Sequence, residues 1–352
     1  MARTPRVGPV TFFQLLSRFG TAAKALDFLE GSFQRKGSGR IAPRMEIETE
    51  IERLEAFGAR LVCASERDFP ALLKQLTPPP PVLACKGSLE LGAKPAVAIV
   101  GARQASALGR KIARDISMEL SQAGFVVVSG LARGIDGEAH AASLSSGTIA
   151  VLGGGIDHIY PRQHEQLYNE IAERGLILSE NPIGYRATSR DFPRRNRIVT
   201  GLSAGVIVIE AAERSGSLIS ARTAAEQNRD VFAVPGSPLD DRYAGSNRLI
   251  RDGAILARHA DDVIEVLSQT TMSFAKAPDP LSYEEEDVSA GEIPRAQIAA
   301  VVAALSPSPV SIEEIARAAE IGAGRCAAIL VELEIEGRAR TYAGGLASQN
   351  FD

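Results

Sequence analysis

Val97-Ala98-Ile99-Val100, running directly into Gly101-Ala102-Arg103-Gln104-Ala105-Ser106-Ala107-Leu108-Gly109, decides the fold. Four consecutive apolar residues with no polar alternation suit a strand buried on both faces, and the small residues after it suit a tight turn into a helix. The same unit recurs as Phe125-Val126-Val127-Val128, Ile149-Ala150-Val151-Leu152, Leu176-Ile177-Leu178, Val206-Ile207-Val208-Ile209 and Val231-Phe232-Ala233-Val234. Helical stretches separate these runs from about residue 95 to 265. The pattern predicts a doubly wound α/β domain with a parallel sheet.

On either side the texture changes. Residues 1 to about 85 read as a small helical domain: Phe12, Phe13, Leu15, Leu16 and Phe19 form one apolar face. Ala22, Ala25, Leu26 and Leu29 form a second, a third helix is expected from Met45 to Phe57, and Pro78–Pro81 make a stiff connector. The sheet domain is expected over 86–267 and a polar, acidic linker over 268–294. In 295–352, helices at Ala296–Leu305, Ser311–Ala319 and Arg325–Glu336 precede a Gly344-Gly345 turn, which predicts a winged-helix module.

The strand-end loops carry the candidate site. The first offers Gly101, Arg103, Ser106 and Gly109, and the second Ser129, Gly130, Arg133 and Gly134, with Asp136 and His140 just beyond. Later loops hold Gly153 and Gly154, then Ser215, Gly216 and Ser217, then Pro235-Gly236-Ser237. Glycines admit an anion close to the backbone, helix N-termini present unpaired N–H groups, and arginines can clamp a phosphate bidentately. Any one such loop is equally a tight turn needing positive φ. Five on one sheet edge point to a phosphate-bearing ligand.

A further segment, Arg186-Ala187-Thr188-Ser189-Arg190-Asp191-Phe192-Pro193-Arg194-Arg195-Asn196-Arg197, packs five arginines around one aromatic and one acid. A solvated helix face would carry lysine and glutamate, and Pro193 is expected to interrupt a helix. Arg190, Arg194, Arg195, Asn196 and Arg197 along successive phosphates, with Phe192 stacked on an unpaired base, match single-strand recognition.

Charge restricts where such a site can lie. The chain has 39 basic and 43 acidic residues; from residue 271 onward the counts are 6 and 13, which leaves 33 and 30 before that point. A nucleic-acid site is therefore a local patch in the first three quarters. The three cysteines, Cys63, Cys85 and Cys326, are far apart and odd in number, which argues against a disulfide framework. Four histidines without metal-ligand spacing argue against a zinc site, and no cofactor is expected. No loop reads G-x-G-x-x-G with a following ribose ligand or G-x-x-x-x-G-K-[ST]. No run approaches the roughly 20 apolar residues of a membrane span, and the N-terminus lacks a signal peptide, so a cytoplasmic protein is expected.

In order along residues 66 to 257, the segments AIVGARQASALG (98–109), SGLARGIDGEAH (129–140), AVLGGGIDHIYP (150–161), SENP (179–182), DFPRRNRIVTGLS (191–203), SGSLISA (215–221), VFAVPG (231–236) and NRLIRDGA (247–254) resemble the DprA/Smf family. DFPALLKQL (68–76) and PPPPVLACKG (78–87) resemble the family's entry into this domain. The resemblance implies a non-enzymatic protein that binds single-stranded DNA and hands it to the RecA recombinase in natural transformation. It also implies an extended Rossmann domain preceded by a helical SAM-like domain and followed by a winged helix. Carried over by motif, Arg103, Ser106, Phe192, Arg195, Asn196 and Arg197 would lie in the DNA pocket, and Ile250 and Leu256 in a two-fold dimer contact. Two departures bear on the phosphate geometry: Ala102 stands where the family more usually has serine, and Leu131 where it has glycine.

Two other readings compete. A nucleotide-processing enzyme akin to the lysine-decarboxylase-like phosphoribohydrolases would share this sheet, but their P-G-G-x-G-T-x-x-E loop is replaced here by Glu210-Ala211-Ala212-Glu213-Arg214-Ser215-Gly216-Ser217. Asp136 and His140 fit a loop-capping role better than an acid/base pair, because no nucleophile accompanies them. A transcription regulator would read DNA with Arg325–Glu336, which holds one arginine against three glutamates and would be repelled by phosphates.

Overall fold

The computed structural model describes residues 1–36, 40–274, 294–342 and 345–350. Residues 275–293 of the expected linker and Gly344 of the expected wing turn lie outside the described residues. The chain forms two compact units: Met1–Thr49 and Thr77–Pro81 with the residues from Pro294 on, and Glu50–Leu76 with the residues from Val82 to the end of the sheet domain.

The first unit begins with α1 (Pro9–Phe19), α2 (Ala22–Lys36) and the start of α3 (Arg44–Ala56). Pro9 occupies the first turn of α1, where its missing N–H costs no helical bond, and Gly20 ends the helix at φ 73°.

In the second unit β1 (Arg60–Cys63), α4 (Ala71–Lys74) and β2 (Val82–Gly87) lead into the alternating region. That region runs β3 (Ala96–Gly101), α5 (Ala107–Gln122), β4 (Val126–Ser129), α6 (Ile135–Ser143), β5 (Thr148–Leu152), α7 (Glu165–Arg174) and β6 (Leu176–Ser179). It continues with α8 (Asp191–Gly201), β7 (Gly205–Ile209), α9 (Ser217–Glu226), β8 (Asp230–Ala233), α10 (Ala244–Arg251), β9 (Ile255–Leu256) and α11 (Ala260–Phe274). The sheet order is β1-β2-β6-β5-β4-β3-β7-β8-β9. From β6 to β9 every pair is parallel, while β1 and β2 join antiparallel. This is the α/β class read from the apolar runs, and Val97, Ile99, Val127, Ile149, Val151, Ile207 and Ile209 are fully buried. One core joins β3, β4 and β7 to Ile116 and Leu120 of α5 and to Val263 and Leu267 of α11, and a second joins β5 and β6 to Tyr168 and Ile171 of α7.

The structure differs from the sequence reading over residues 50–85. A helical domain was expected to reach about 85, but Arg60–Cys63 and Val82–Gly87 are strands that extend the sheet. Each is short, and Leu61-Val62 between Arg60 and Cys63 gives no periodicity from which an edge strand can be told from a loop.

After the linker the first unit resumes with α12 (Arg295–Ala304), β10 (Val310–Ser311), α13 (Ile312–Ala318), α14 (Ala323–Ile335), β11 (Ala339–Tyr342) and β12 (Leu346–Gln349). Three helices and a small sheet ordered β10-β12-β11 make the winged helix. The Ser311 hydroxyl caps α13 by accepting the Glu314 N–H at 3.2 Å. Cys326, Ile329, Leu330 and Leu333 of α14 enter the winged-helix core, whereas Val331 and Ile335 pack with Leu15, Leu29 and Phe33 of α1 and α2. The three cysteines are free. Among the described residues no helix is long and apolar enough to cross a membrane.

Candidate nucleic-acid interface

Strand order reverses between β3 and β7, whose successors lie on opposite sides, and ligands of open α/β sheets bind at the carboxyl ends flanking such a switch point. A groove of about 920 Å³ opens there, lined by Gly101, Ala102, Arg103, Tyr160, Phe192, Arg195, Asn196, Arg214, Ser215, Gly216, Ser217 and Arg242, among others. It brings together the loops after β3 and β7 and the arginine-rich segment, which span residues 101 to 217 of the chain.

Arg103 is exposed, and its guanidinium carbon lies 5.3 Å from the centroid of the half-buried Phe192 ring. Tyr160 stands 5.6 Å from the same ring at 42°. A cation over an aromatic face, extended by a second ring, forms a surface on which a base can stack with a phosphate alongside. Tyr160 was not among the residues expected from sequence; its position after the Gly153-Gly154-Gly155 loop was the available signal. Arg133, Arg190 and Arg194 are exposed, and with Arg103 they make no ion pair among the described residues. Arg197 differs: it is bound to Glu180 in an ion pair. Asn196 is half-buried beside the groove.

Pro193 does not interrupt a helix. It lies in the first turn of α8, where no helical bond needs its N–H. The helix therefore sorts the arginines by face. Asp191, Arg195, Ile198 and Val199 point inward, and Arg190 and Arg194 point outward. Arg195 is 7 % exposed and donates to the Val151 carbonyl at 2.6 Å. Burial pulls its pKa down to about 10, with Asp136 opposing and Arg103 adding to the shift. It forms the groove floor beneath Gly130, where a Cβ would lie 1.7 Å from the Arg195 guanidinium.

Asp136 caps the second loop, accepting the N–H groups of Gly130 at 3.2 Å and Ala132 at 3.3 Å. Burial raises its pKa, and Arg195 and the loop N–H groups oppose the rise. His140 is fully buried. The Thr148 hydroxyl donates to the Val127 carbonyl at 2.7 Å, so it accepts from His140 Nδ1 at 2.8 Å. Both side chains are engaged in holding the loop and the core around it. Leu131 takes the left-handed region at φ 56° and is fully buried, so the loop keeps a glycine-like backbone with a leucine in the core.

The remaining loops are held from within. Ser129 donates to the Ile99 carbonyl at 2.6 Å. Gly153 and Gly154 have their carbonyls bound by Asn181 at 2.7 Å and Ser179 at 2.5 Å, and a Cβ on Gly153 would meet the Phe192 ring at 3.3 Å. Gly134 adopts φ 77° at the start of α6. The Ser215 and Ser217 hydroxyls bond each other at 2.7 Å, with Gly216 exposed between them. Ser106 caps α5 and turns inward, toward a buried Glu210, and Gly109 packs against that carboxylate.

Comparison with known proteins identifies the family. The family described as DNA recombination-mediator protein A matches residues 60–268. The chain belongs to the DprA/Smf family. The DprA-like N-terminal HHH domain matches residues 1–52 and the DprA winged helix domain residues 284–345. The DNA processing protein DprA of Bacillus subtilis is 42% identical over 222 residues, 62% of this chain and 75% of that protein. Protein Smf of Synechocystis is 36% identical over 321 residues, 82% of this chain and 79% of that protein. The X-ray structure of DprA from Streptococcus pneumoniae superposes with a TM-score of 0.66 at 34% identity, covering 74% of this chain and 93% of that one. DprA from Helicobacter pylori, described for its single-stranded DNA binding mode, gives 0.56 at 32% identity, covering 60% of this chain and 96% of that one.

Proposed function

We propose that this DprA-family chain binds single-stranded DNA in the switch-point groove, as a cytoplasmic non-enzymatic homodimer, and delivers the strand to RecA during DNA uptake. The observation that carries the DNA reading is the Arg103–Phe192–Tyr160 platform with Arg133 beside it, and Arg190 and Arg194 exposed at the start of α8. Rings that open onto a groove accept an unpaired base and not a stacked duplex, and guanidiniums without an ion-pair partner attract a phosphate backbone. The homologue described for its single-stranded DNA binding mode supports the same ligand. Delivery to RecA and dimer formation rest on the family resemblance.

Phe192→Ala tests the platform. The half-buried ring touches Arg103 and Tyr160, so its loss should weaken oligothymidylate binding by about 1–3 kcal/mol with a small change in melting temperature. A large fall in melting temperature with normal affinity would return Phe192 to the core.

A further inference from the structure

We propose that Glu210 is a positioning residue for the DNA groove: its side chain is a built-in anion at the N-terminal end of α5 that fixes the loop carrying Arg103. The proposal rests on the groove reading above. Glu210 follows β7 directly, is fully buried, and holds a left-handed φ of 52°. Such a backbone in a non-glycine residue persists only where its surroundings over-determine it.

The three hydrogen bonds that the side chain makes among the described residues all come from donors. The Ser106 N–H donates to Oε2 at 2.8 Å, the Ser106 hydroxyl to Oε1, and the Tyr243 hydroxyl to Oε1 at 3.1 Å. Ser106 Oγ also accepts the Gly109 N–H at 2.9 Å, which leaves its own proton for the carboxylate. Gly109 allows the approach: a Cβ there would lie 2.4 Å from Glu210 Cδ and 2.6 and 2.7 Å from its two oxygens. The carboxylate thus lies against the first turn of a 16-residue helix, where unpaired N–H groups and the helix dipole favour negative charge.

In an open α/β sheet this position beside the switch point is the place for a ligand's phosphate. Here a side chain fills it, with two consequences. Ser106 is committed inward, so Arg103 is the outward-facing charge of its loop, with Gln104 exposed beside it. Tyr243 joins the same carboxylate to the loop after β8, where a Cβ on Gly236 would meet the Tyr243 ring at 2.0 Å. One carboxylate therefore ties together the ends of β3, β7 and β8. It also excludes a nucleotide phosphate from the helix end, so that the groove takes a strand lying across Arg103 and not an inserted mononucleotide.

The test uses the full chain and its Ser106→Ala, Glu210→Gln, double and Arg103→Ala variants, titrated with oligothymidylate over a range of salt. Ser106→Ala and Glu210→Gln should each weaken binding by about 5- to 10-fold, and the double variant should be no weaker than the weaker single one, because both act through one bond network. Their salt slopes should equal the wild-type slope, whereas Arg103→Ala should lower it by about 0.7. Unchanged affinity, additive losses, or a reduced slope in Ser106→Ala would overturn the proposal, the last by making Ser106 itself a phosphate contact. Wild-type protein that ignores oligothymidylate would instead overturn the DNA reading. Melting then still tests the anion: acetate should raise the melting temperature of Glu210→Ala beyond chloride at equal ionic strength, with no such difference in wild type. Equal responses would overturn it, and if Glu210→Ala does not fold, the Ser106→Ala and Glu210→Gln cycle read by melting decides: non-additive losses support the shared bond network and additive ones overturn it.

Discussion

At Gly130 a hydrogen stands where any side chain would strike the Arg195 guanidinium at 1.7 Å. Gly130→Ala must push that buried cation off the Val151 carbonyl, and both the overpacking and the unpaired donor lower stability. A loss of about 1–3 kcal/mol in denaturant unfolding is expected; wild-type stability would mean that Arg195 moves freely. His140 gives a pH signature. Burial depresses its pKa to about 3 from an ordinary 6.5, with the Arg195 and His164 charges adding to the shift. The folded state therefore holds it neutral while the unfolded chain protonates it. Its stabilising contribution is full above pH 6.5 and is lost as pH falls toward 3, at a slope approaching 1.4 kcal/mol per unit. His140→Gln should flatten unfolding free energy between pH 6 and 4, and an unchanged slope there would show that His140 is not the group responsible. The sequence displayed the residue types of this site but not their directions. Arg195 and Arg194 are adjacent in the chain and equally basic, and only the register of α8 buries one and exposes the other. Glu210 stood in a quoted loop without a role, because nothing local shows that Ser106 will turn toward it.

The parallel strands were readable because their apolar runs are buried on both faces, and the loops because they follow those runs. The antiparallel β1 and β2 were not, since an edge position needs no such run. At the opposite edge, β9 is a two-residue strand in which Ile255 is half-buried and Leu256 is 42% exposed, with Ile250 half-buried on α10. An unpaired edge with an exposed leucine suits the two-fold contact that the family resemblance implies. Leu256→Arg would place the charge twice in one apolar interface, where it can be neither paired nor hydrated. Sedimentation should show a wild-type dimer and a folded monomeric variant with weaker apparent DNA affinity, as two grooves no longer share one strand. A wild-type monomer would remove the interface.

Across the whole chain the charge and the cores divide the labour. The residues before 271 carry 33 basic and 30 acidic side chains, and those from 271 on carry 6 and 13. Within the winged-helix unit, α14 is buried by its own module on one side and by α1 and α2 on the other, with Thr11 donating to Glu334 at 2.6 Å and Arg18 paired to Glu332 at 3.4 Å. An acidic helix covered on both sides is a poor DNA reader. The proposed DNA affinity therefore belongs to the sheet unit and to Arg103 within it. The most direct test is a salt-dependent titration of the full chain with single- and double-stranded oligonucleotides of one sequence, repeated with Arg103→Ala. Tighter binding of the single strand is predicted, with the log–log salt slope lowered by about 0.7 in the variant. Equal affinity for duplex, or a slope untouched by Arg103→Ala, would contradict the account.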